Sequence, residues 1–276
     1  MVNSVKIGLV LSGGGAKGLM HIGVLQALLE NNIEPDIISG TSAGSIIGAL
    51  YAAGYSPDYM LKMAEQTSLF RILRAIRFPG VGIVKMDYLQ HRLEEVILKD
   101  NFESLKIPLY VCATNLNAGR AVIFNEGSLI DKITASCAVP WLFKPVMING
   151  QMYADGGITN NLPAIAIRDK CDILIGSNVK PKVRVESNND LNSWMGITQR
   201  CFDLAMWANV KQNVKVLDVY IATEKLMELS VFELRRTKEM IEVGYEETLT
   251  HISHIQNLIK DKEKEKSMHS NYSVSG

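Results

Sequence analysis

A serine stands at the centre of a five-residue turn, Gly40-Thr41-Ser42-Ala43-Gly44, between a short apolar run and a run of small helical residues. The pattern predicts a strand, a sharp turn and a helix, with the Ser42 hydroxyl projecting from the edge of a sheet. Gly40 and Gly44 lack the Cβ atoms that would hold strand and helix apart. Ser42 is therefore a candidate nucleophile. Taken alone, the turn is equally well interpreted as a serine in a glycine-rich helix entry.

A second glycine-rich turn precedes this serine by one strand–helix unit. Residues 6–12 are typical of a buried parallel strand, and residues 19–30 are typical of a helix. Between them, the backbone N–H groups of Gly13, Gly14 and Gly15 are not covered by side chains. At the N-terminus of a helix such groups can bind a phosphate or the oxyanion of an acyl-transfer intermediate.

Two nucleotide-binding motifs compete for the same turn. The spacing Gly13-x-Gly15-x-x-Gly18 fits a dinucleotide fingerprint, which also predicts an acidic residue at the end of the next strand. This chain has Ser39-Gly40-Thr41-Ser42 at that point. A Walker loop requires its lysine after the last glycine, whereas Lys17 comes before Gly18. Both nucleotide interpretations are disfavoured by these positions.

An aspartate followed by two glycines, Asp155-Gly156-Gly157, comes after a strand-like segment. Such a sequence alone usually marks only a turn, but a serine nucleophile needs a base, and a histidine or a carboxylate can supply it. The histidines lie inside a helix, on charged helical stretches or in the tail: His21, His91, His251, His254 and His269. Asp155 is therefore the favoured base. A Ser–Asp–His order completed by His251 or His254 is the alternative.

Together the three motifs resemble the patatin-like phospholipases, a family of bacterial lipid acyl hydrolases, in order and in spacing. The resemblance rests on the turns at 13–18 and 40–44 and on Asp155-Gly156-Gly157, and segments 135–140 and 160–163 reinforce it. It implies a three-layer α/β/α sandwich with a mainly parallel central sheet. It also implies a Ser42–Asp155 dyad that hydrolyses acyl esters of lipids without a histidine.

A mechanism follows from these residue types. Asp155 accepts the Ser42 proton as the serine attacks an ester carbonyl, while the N–H groups of Gly13, Gly14 and Gly15 bind the oxyanion. An acyl-enzyme forms, and water activated by Asp155 releases the fatty acid. The chemistry requires no metal and no other cofactor.

The motifs specify transfer of an acyl group, but they do not specify which leaving group the substrate carries. A thioesterase or transacylase on the same dyad is one alternative, and a catalytically silent lipid-binding protein on this fold is another. Lys17 orders the glycine-rich turn, attracts an anionic headgroup or is a solvated lysine at a helix start. The expected partner is a lipid or another fatty-acyl ester, and the oligomeric state is left open.

Composition limits the other classes of function. The 276 residues contain 29 Lys and Arg and 29 Asp and Glu, so the formal net charge is zero, which argues against a nucleic-acid-binding protein. The four cysteines are widely separated, which favours reduced core cysteines over disulfides or a zinc site: Cys112, Cys137, Cys171 and Cys201.

No apolar run is long enough to span a bilayer, and the first strand begins too early to leave room for a signal peptide. A cytoplasmic enzyme with peripheral contact to a membrane is the expectation. Export without a cleaved signal would leave no trace in the sequence.

Segment 69–85 carries Arg71, Arg74, Arg77 and Lys85 and no acidic residue. Arginines three residues apart, with apolar residues between them, predict a basic amphipathic face suited to an anionic lipid surface or to a lid beside the site. The alternative is a helix that packs on the core with its arginines solvated.

The coarse pattern alternates strands and helices, as in a mainly parallel sheet. Strands are predicted at 6–11, 36–39, 109–114, 121–125, 146–148, 172–177 and 216–222. Helices are predicted at 19–30, 45–53, 58–65, 87–98, 129–137, 193–211 and 234–259. We expect one domain over residues 1–260, followed by a charged, polar and disordered tail at 261–276.

Overall fold

The computed structural model describes residues 4–65, 86–140, 142–182, 191–229 and 236–273. Eight strands form one mixed sheet: β1 Ile7–Leu11, β2 Ile37–Thr41, β3 Leu109–Asn115, β4 Arg120–Phe124, β5 Val146–Ile148, β6 Gln151–Asp155, β7 Ile173–Asn178 and β8 Val219–Ala222. The α-helices of the described residues are α1 Met20–Glu30, α2 Ala43–Ala52, α3 Pro57–Glu65, α4 Asp87–Val96, α5 Leu129–Ser136, α6 Trp194–Val214, α7 Thr237–Leu249 and α8 Ile252–Ser273. Short 3₁₀ turns lie at Gly15–Leu19, Phe102–Ser104, Gly156–Ile158 and Arg168–Lys170.

The strand order is β5-β6-β3-β2-β1-β7-β8, and β4 also pairs with β3. The pairs from β3 through β2, β1 and β7 to β8 are parallel, whereas β4, β5 and β6 join in antiparallel pairs. β1 is buried along its whole length, as expected of a central strand covered on both faces.

Successive β1 side chains enter different hydrophobic layers. Leu9 and Leu11 belong to the larger core, which also contains residues of α1 to α5, α7 and α8. Val10 belongs to a second core with Val210 of α6 and with residues of segment 162–174. Helices therefore cover both faces of the sheet, and the predicted three-layer, mainly parallel α/β/α sandwich is confirmed.

Two strands meet end to end along one edge of β3. At Val111 and Cys112, β3 pairs with both β2 and β4, and from Ala113 onwards it pairs with both β4 and β6. β4 therefore occupies one edge, and β2 and β6 share the other. Thr41, the last residue of β2, is opposite Cys112, and Asp155, the last residue of β6, is opposite Ala113. The ends of β2 and β6 are thus neighbours in space.

The C-terminal region differs from the prediction. The single helix expected at 234–259 is divided into α7 and α8, with Thr250 and His251 between them. The disordered tail expected beyond residue 260 is incorrect as far as Ser273, because α8 continues to that residue. Charges three residues apart stabilise its surface, and Lys266 Nζ donates to Asp172 Oδ2 at 2.6 Å.

The basic segment 69–85, with Arg71, Arg74 and Arg77, lies outside the described residues.

Helices α1 and α7 pack closely through two glycines. A Cβ built on Gly23 would lie 1.9 Å from the Ile241 carbonyl oxygen, and one on Gly244 would lie 2.1 Å from the Met20 carbonyl oxygen. Neither helix can accept a methyl group there without moving its partner.

Gly23→Ala should therefore lower the free energy of unfolding by about 1–3 kcal/mol, the usual cost of overpacking a core. The sign is diagnostic, because alanine in a helix interior is ordinarily more favourable than glycine by about 1 kcal/mol. Urea denaturation of the purified variant measures the difference. A midpoint equal to or above that of the wild type would contradict the packing argument.

Candidate active site

Ser42 joins β2 to α2 in a strained backbone conformation. Its φ and ψ angles are 51° and −122°, which a residue with a Cβ rarely adopts. The flanking glycines make this turn possible, since a Cβ on Gly40 would lie 2.7 Å from the carbonyl carbon of Gly44. A Cβ on Gly44 would lie 2.2 Å from the Leu11 carbonyl oxygen on β1. The sequence prediction of a sharp turn with close strand–helix contact is thus confirmed in its geometry.

Ser136, the last residue of α5, holds the turn from behind. Its Oγ accepts the Ser42 N–H at 2.8 Å and donates to the Cys112 carbonyl at 2.6 Å. The side chain is fully buried. In the sequence Ser136 is only part of segment 135–140 and no role is predicted for it, because nothing local shows that it contacts a residue 94 positions away.

Asp155 faces Ser42 because β2 and β6 end beside each other. The Asp155 carboxylate accepts the Gly157 N–H at 2.7 Å, and the Ser42 hydroxyl is near enough to lower the pKa of the carboxyl group. Its own N–H donates to the Ala138 carbonyl at 2.9 Å, and its carbonyl accepts the Thr114 hydroxyl at 2.8 Å. Both main chain and side chain are therefore fixed.

Burial makes Asp155 a stronger base than an ordinary aspartate. Removal of the carboxyl group from water raises its pKa from 3.8 to about 7, even though the Gly157 N–H and the Ser42 hydroxyl act in the opposite direction. A base with a pKa near neutrality accepts a proton more readily than a solvated carboxylate and is still ionised at mildly alkaline pH.

The glycine-rich turn lies against Ser42, but one of its three predicted donors is occupied. The Gly13 N–H donates to the Asn161 carbonyl at 3.2 Å, so it is not available to an oxyanion, which corrects its predicted role. Within the described residues, the N–H groups of Gly14 and Gly15 donate to no hydrogen bond. Gly15 has a φ of 60°, which suits glycine. Two of the three N–H groups are thus available to a ligand.

His21 secures this turn through hydrogen bonds at both of its ring nitrogens. Its Nε2–H donates to the Ser12 carbonyl at 2.9 Å, and its Nδ1 accepts from Ser177 Oγ at 2.9 Å. Burial lowers the pKa of its imidazole from 6.5 to about 4, so the ring is neutral. From the sequence, His21 is only a residue inside a helix, and its hydrogen bonds to Ser12 and Ser177 could not be predicted.

Two further motif residues pack inside the same turn. Lys17 is only 3% exposed, which excludes the interpretation of a solvated lysine. Gly18 packs against Ala43, since a Cβ on Gly18 would lie 2.5 Å from the Ala43 Cβ. The turn and α2 are therefore in direct contact.

Asparagines connect the Asp155 turn to α6. Asn209 Nδ2 donates to the Gly157 carbonyl at 2.9 Å, and its Oδ1 accepts the Asn161 N–H at 2.8 Å. Asn213 Nδ2 donates to Asn160 Oδ1 at 3.0 Å. Gly156, the residue after Asp155, packs against β3, since a Cβ on Gly156 would lie 2.3 Å from the Cys112 carbonyl oxygen. No sequence motif identified Asn209 or Asn213, because their partners are 50 or so residues away.

Of the other candidate groups, His251 lies apart from these contacts, whereas two cysteines lie beside them. His251 Nε2 is 3.8 Å from Glu247, and the described hydrogen bonds of Ser42 and Asp155 include no histidine. Cys112 and Cys137 are buried next to Asp155, and burial raises the pKa of both thiols, that of Cys112 to about 12. Cys201 is exposed, so the expectation that all four cysteines are core residues is wrong.

The described part of the chain has neither a candidate metal site nor a candidate membrane-spanning helix. Its histidine, cysteine and acidic side chains form no cluster that could hold a metal ion. None of its helices combines the length and the apolar character that crossing a membrane requires.

Residues 9–167 match the sequence model of the family described as Patatin-like phospholipase. An uncharacterized NTE family protein of Mycobacterium tuberculosis is 32% identical over 214 residues, which are 74% of this chain and 59% of the relative. The lysophospholipase NTE1 of Saccharomyces cerevisiae is 30% identical over 233 residues, 80% of this chain and 14% of the relative. The chain therefore spans only part of the curated relatives that it matches.

Among solved structures, VipD from Legionella pneumophila superimposes with a TM-score of 0.51. The match covers 91% of this chain and 67% of that chain at 17% sequence identity. At this identity the likeness shows the fold alone, and it agrees with the α/β sandwich.

The raised pKa of Asp155 predicts a specific pH dependence of stability. Between about pH 4 and 7 the unfolded carboxyl group is ionised while the folded one retains its proton, so Asp155 destabilises the fold progressively as the pH rises through this range. Asp155→Asn removes this pH-dependent destabilisation, because an amide does not ionise. Its unfolding free energy relative to the wild type should increase by up to about 1.4 kcal/mol per pH unit across the range.

Urea denaturation of both proteins at several pH values measures this difference. Asp169→Asn is the control, because Asp169 is solvent-exposed and its substitution should show no comparable trend. A difference between Asp155→Asn and the wild type that is independent of pH would contradict the effect of burial on this carboxyl group.

Ser136→Ala should destabilise the protein by about 1–3 kcal/mol, because the buried Ser42 N–H loses its acceptor and the Cys112 carbonyl loses a donor. Thermal and urea unfolding measure the loss, with Ser4→Ala as the control at an exposed serine. Equal stability of the two variants would show that the Ser136 hydroxyl does not hold the turn.

Proposed function

Since the chain belongs to the patatin-like phospholipase family, we propose that it hydrolyses acyl esters of lipids through Ser42 and Asp155. The observation that carries the proposal is the juxtaposition of Ser42, on its strained turn, with the buried Asp155 carboxyl group, which the neighbouring ends of β2 and β6 bring about. A serine on a strained strand-to-helix turn, beside a base and beside uncovered N–H groups, has the parts that acyl transfer requires.

In the proposed first half-reaction, Asp155 accepts the Ser42 proton while Ser42 Oγ bonds to the ester carbonyl carbon. The carbonyl oxygen becomes an oxyanion, and the N–H groups of Gly14 and Gly15 stabilise it. When the intermediate collapses, the bond to the alcohol breaks and the Asp155 proton passes to the leaving oxygen. Ser42 then carries the acyl group.

In the second half-reaction, Asp155 accepts a proton from water as the water oxygen attacks the acyl-enzyme. The second oxyanion occupies the same donors, and its collapse returns the proton to Ser42 Oγ and releases the fatty acid. The same carboxyl group serves both steps, so no histidine is required. Its pKa of about 7 lets it both accept and return a proton near neutral pH.

The relatives suggest which lipid to test first. The yeast relatives are named lysophospholipases, so a single-chain phospholipid is the first candidate substrate. The dyad itself selects only the acyl carbonyl. Parallel assays with lysophospholipid, diacyl phospholipid, monoacylglycerol, a p-nitrophenyl ester and acyl-CoA separate a lipase-type esterase from a thioesterase, and an alcohol acceptor detects transacylation.

Ser42→Ala and Asp155→Asn should each lower turnover of a soluble ester on the order of 10³-fold or more, because each removes a group that bonds to a reacting atom or proton. A fluorophosphonate probe should label the wild type and not Ser42→Ala. Circular dichroism establishes that the variants remain folded.

The matched control is the double variant His251→Ala/His254→Ala, which should retain turnover within about twofold, since the described hydrogen bonds of Ser42 and Asp155 involve neither ring. A large loss in this variant with an intact fold would favour the Ser–Asp–His alternative. Normal turnover in Ser42→Ala, measured free of contaminating esterase, would refute the nucleophile assignment, and absence of labelling in the wild type would favour a silent lipid-binding protein.

A further inference from the structure

Helix α6 presents two faces of opposite character. Its inner face packs on the sheet and on the Asp155 turn: Val210 belongs to the second core, Asn209 bonds to Gly157, and Met206 Cγ lies 3.2 Å from where a Gly157 Cβ would stand. This face fixes the position of α6 relative to the candidate active site.

The outer face of α6 carries a row of exposed apolar side chains, here called the outer stripe. Its large members are Trp194, Ile197, Leu204 and Trp207, which are 73%, 51%, 43% and 38% exposed. The spacing of 194, 197 and 204 places them on one side of the helix. Soluble monomers rarely expose contiguous apolar surface of this kind unless it binds something.

The order of contacts along α6 shows where the stripe lies. Asn213 contacts Asn160, Asn209 contacts Gly157, and Met206 lies against Gly157. The helix therefore passes from the body of the sheet to the site. Further toward the N-terminus, Asp203 pairs with Lys180, whose neighbour Val179 lies against Gly14, so this part of α6 is beside the glycine-rich turn. The stripe thus projects on the side of the sheet where Ser42 lies.

The charges around the stripe indicate what it can contact. Between Leu191 and Lys215 the exposed charged residues are Lys211 and Lys215. The single acidic residue of this stretch, Asp203, is paired with Lys180 and largely shielded from solvent. Lys211 Nζ lies 4.1 Å from the centre of the Trp207 ring. Apolar and indole side chains bordered by cations suit an anionic lipid surface, where tryptophan favours the headgroup level.

A second copy of the chain fits this face less well. In a two-fold dimer the same patch meets itself, so Lys211 and Lys215 would approach their own counterparts with no exposed acidic residue of this stretch to pair with them. An anionic bilayer instead supplies both an apolar layer and opposite charge.

We infer that the outer stripe of α6 docks the protein on an anionic phospholipid surface and holds the Ser42 site against it. The choice of a lipid surface rests on the proposed function. Docking would let a single-chain or diacyl lipid reach Ser42 without leaving the interface completely.

The test measures binding separately from catalysis. Ser42→Ala protein is mixed with vesicles of phosphatidylcholine, with or without phosphatidylglycerol, and bound protein is separated by flotation. Trp194→Gln/Ile197→Ser/Leu204→Gln in that background should weaken binding to the anionic vesicles at least tenfold. The matched control is Leu98→Gln/Leu249→Gln. It replaces two exposed leucines away from α6, one just after α4 and one at the end of α7, and it should bind like the parent.

Two further measurements locate the contact. Brominated acyl chains should quench tryptophan fluorescence, and Trp194→Phe should reduce that quenching. Lys211→Gln/Lys215→Gln should weaken anionic-vesicle binding several-fold and reduce its salt dependence. In the active protein, the triple variant should hydrolyse a soluble ester normally and a vesicle substrate poorly.

Equal vesicle affinity of the triple variant and its parent, or no vesicle binding by the parent, would overturn the inference. Concentration-dependent dimers in sedimentation that the triple variant abolishes, without vesicle binding, would assign the stripe to a second copy. Because binding is measured with Ser42→Ala, these outcomes are independent of whether the proposed hydrolysis occurs.

Discussion

The meeting of β2 and β6 on one edge of β3 is the constraint on which the site depends. Thr41, which precedes Ser42, and Asp155 pair with consecutive residues of β3. The hydrogen bonding of the strands therefore sets the distance between the Ser42 hydroxyl and the Asp155 carboxyl group. Neither group relies on a long loop for its position. Ser136 and Thr114 then bind the backbone of the two strand ends to neighbouring elements, so a displacement of either strand would break several buried hydrogen bonds at once.

Desolvation determines the chemical character of this site more than charge does. No cation is among the causes that set the pKa of Asp155, and burial outweighs the effects of the Gly157 N–H and the Ser42 hydroxyl, which favour the ionised form. The same low-dielectric surroundings keep the thiols of Cys112 and Cys137 neutral, and the negative charge of Asp155 acts in the same direction. One environment therefore strengthens an oxygen base and silences two neighbouring sulfur nucleophiles.

Sequence alone predicted the parts of this structure that have local causes. The turns around Ser42 and Gly13–Gly18 and the buried strand β1 follow from glycine positions and apolar runs. The mainly parallel sheet follows from the alternation of strands and helices, whereas the three-layer sandwich was implied by the resemblance to a family. Ser136, His21 and Asn209 could not be found in this way, because each acts through a partner 52 to 156 residues distant that only strand order brings near. The tail was misjudged for a related reason: alternating charge is common to disordered segments and solvated helices, and the contact of Lys266 with Asp172 distinguishes them.

His21 and Asp155 together have a consequence for how the protein exchanges protons with solvent. In weak acid, between about pH 4 and 6.5, the folded chain holds a neutral imidazole and a protonated carboxyl group, whereas the unfolded chain holds an imidazolium and a carboxylate. His21 alone would make the fold more stable as the pH rises through this range, and Asp155 alone would make it less stable. Unfolding therefore transfers one proton from the carboxyl to the imidazole while the total bound stays nearly constant. A pair of strongly perturbed groups can in this way leave almost no trace in the overall acid titration of stability.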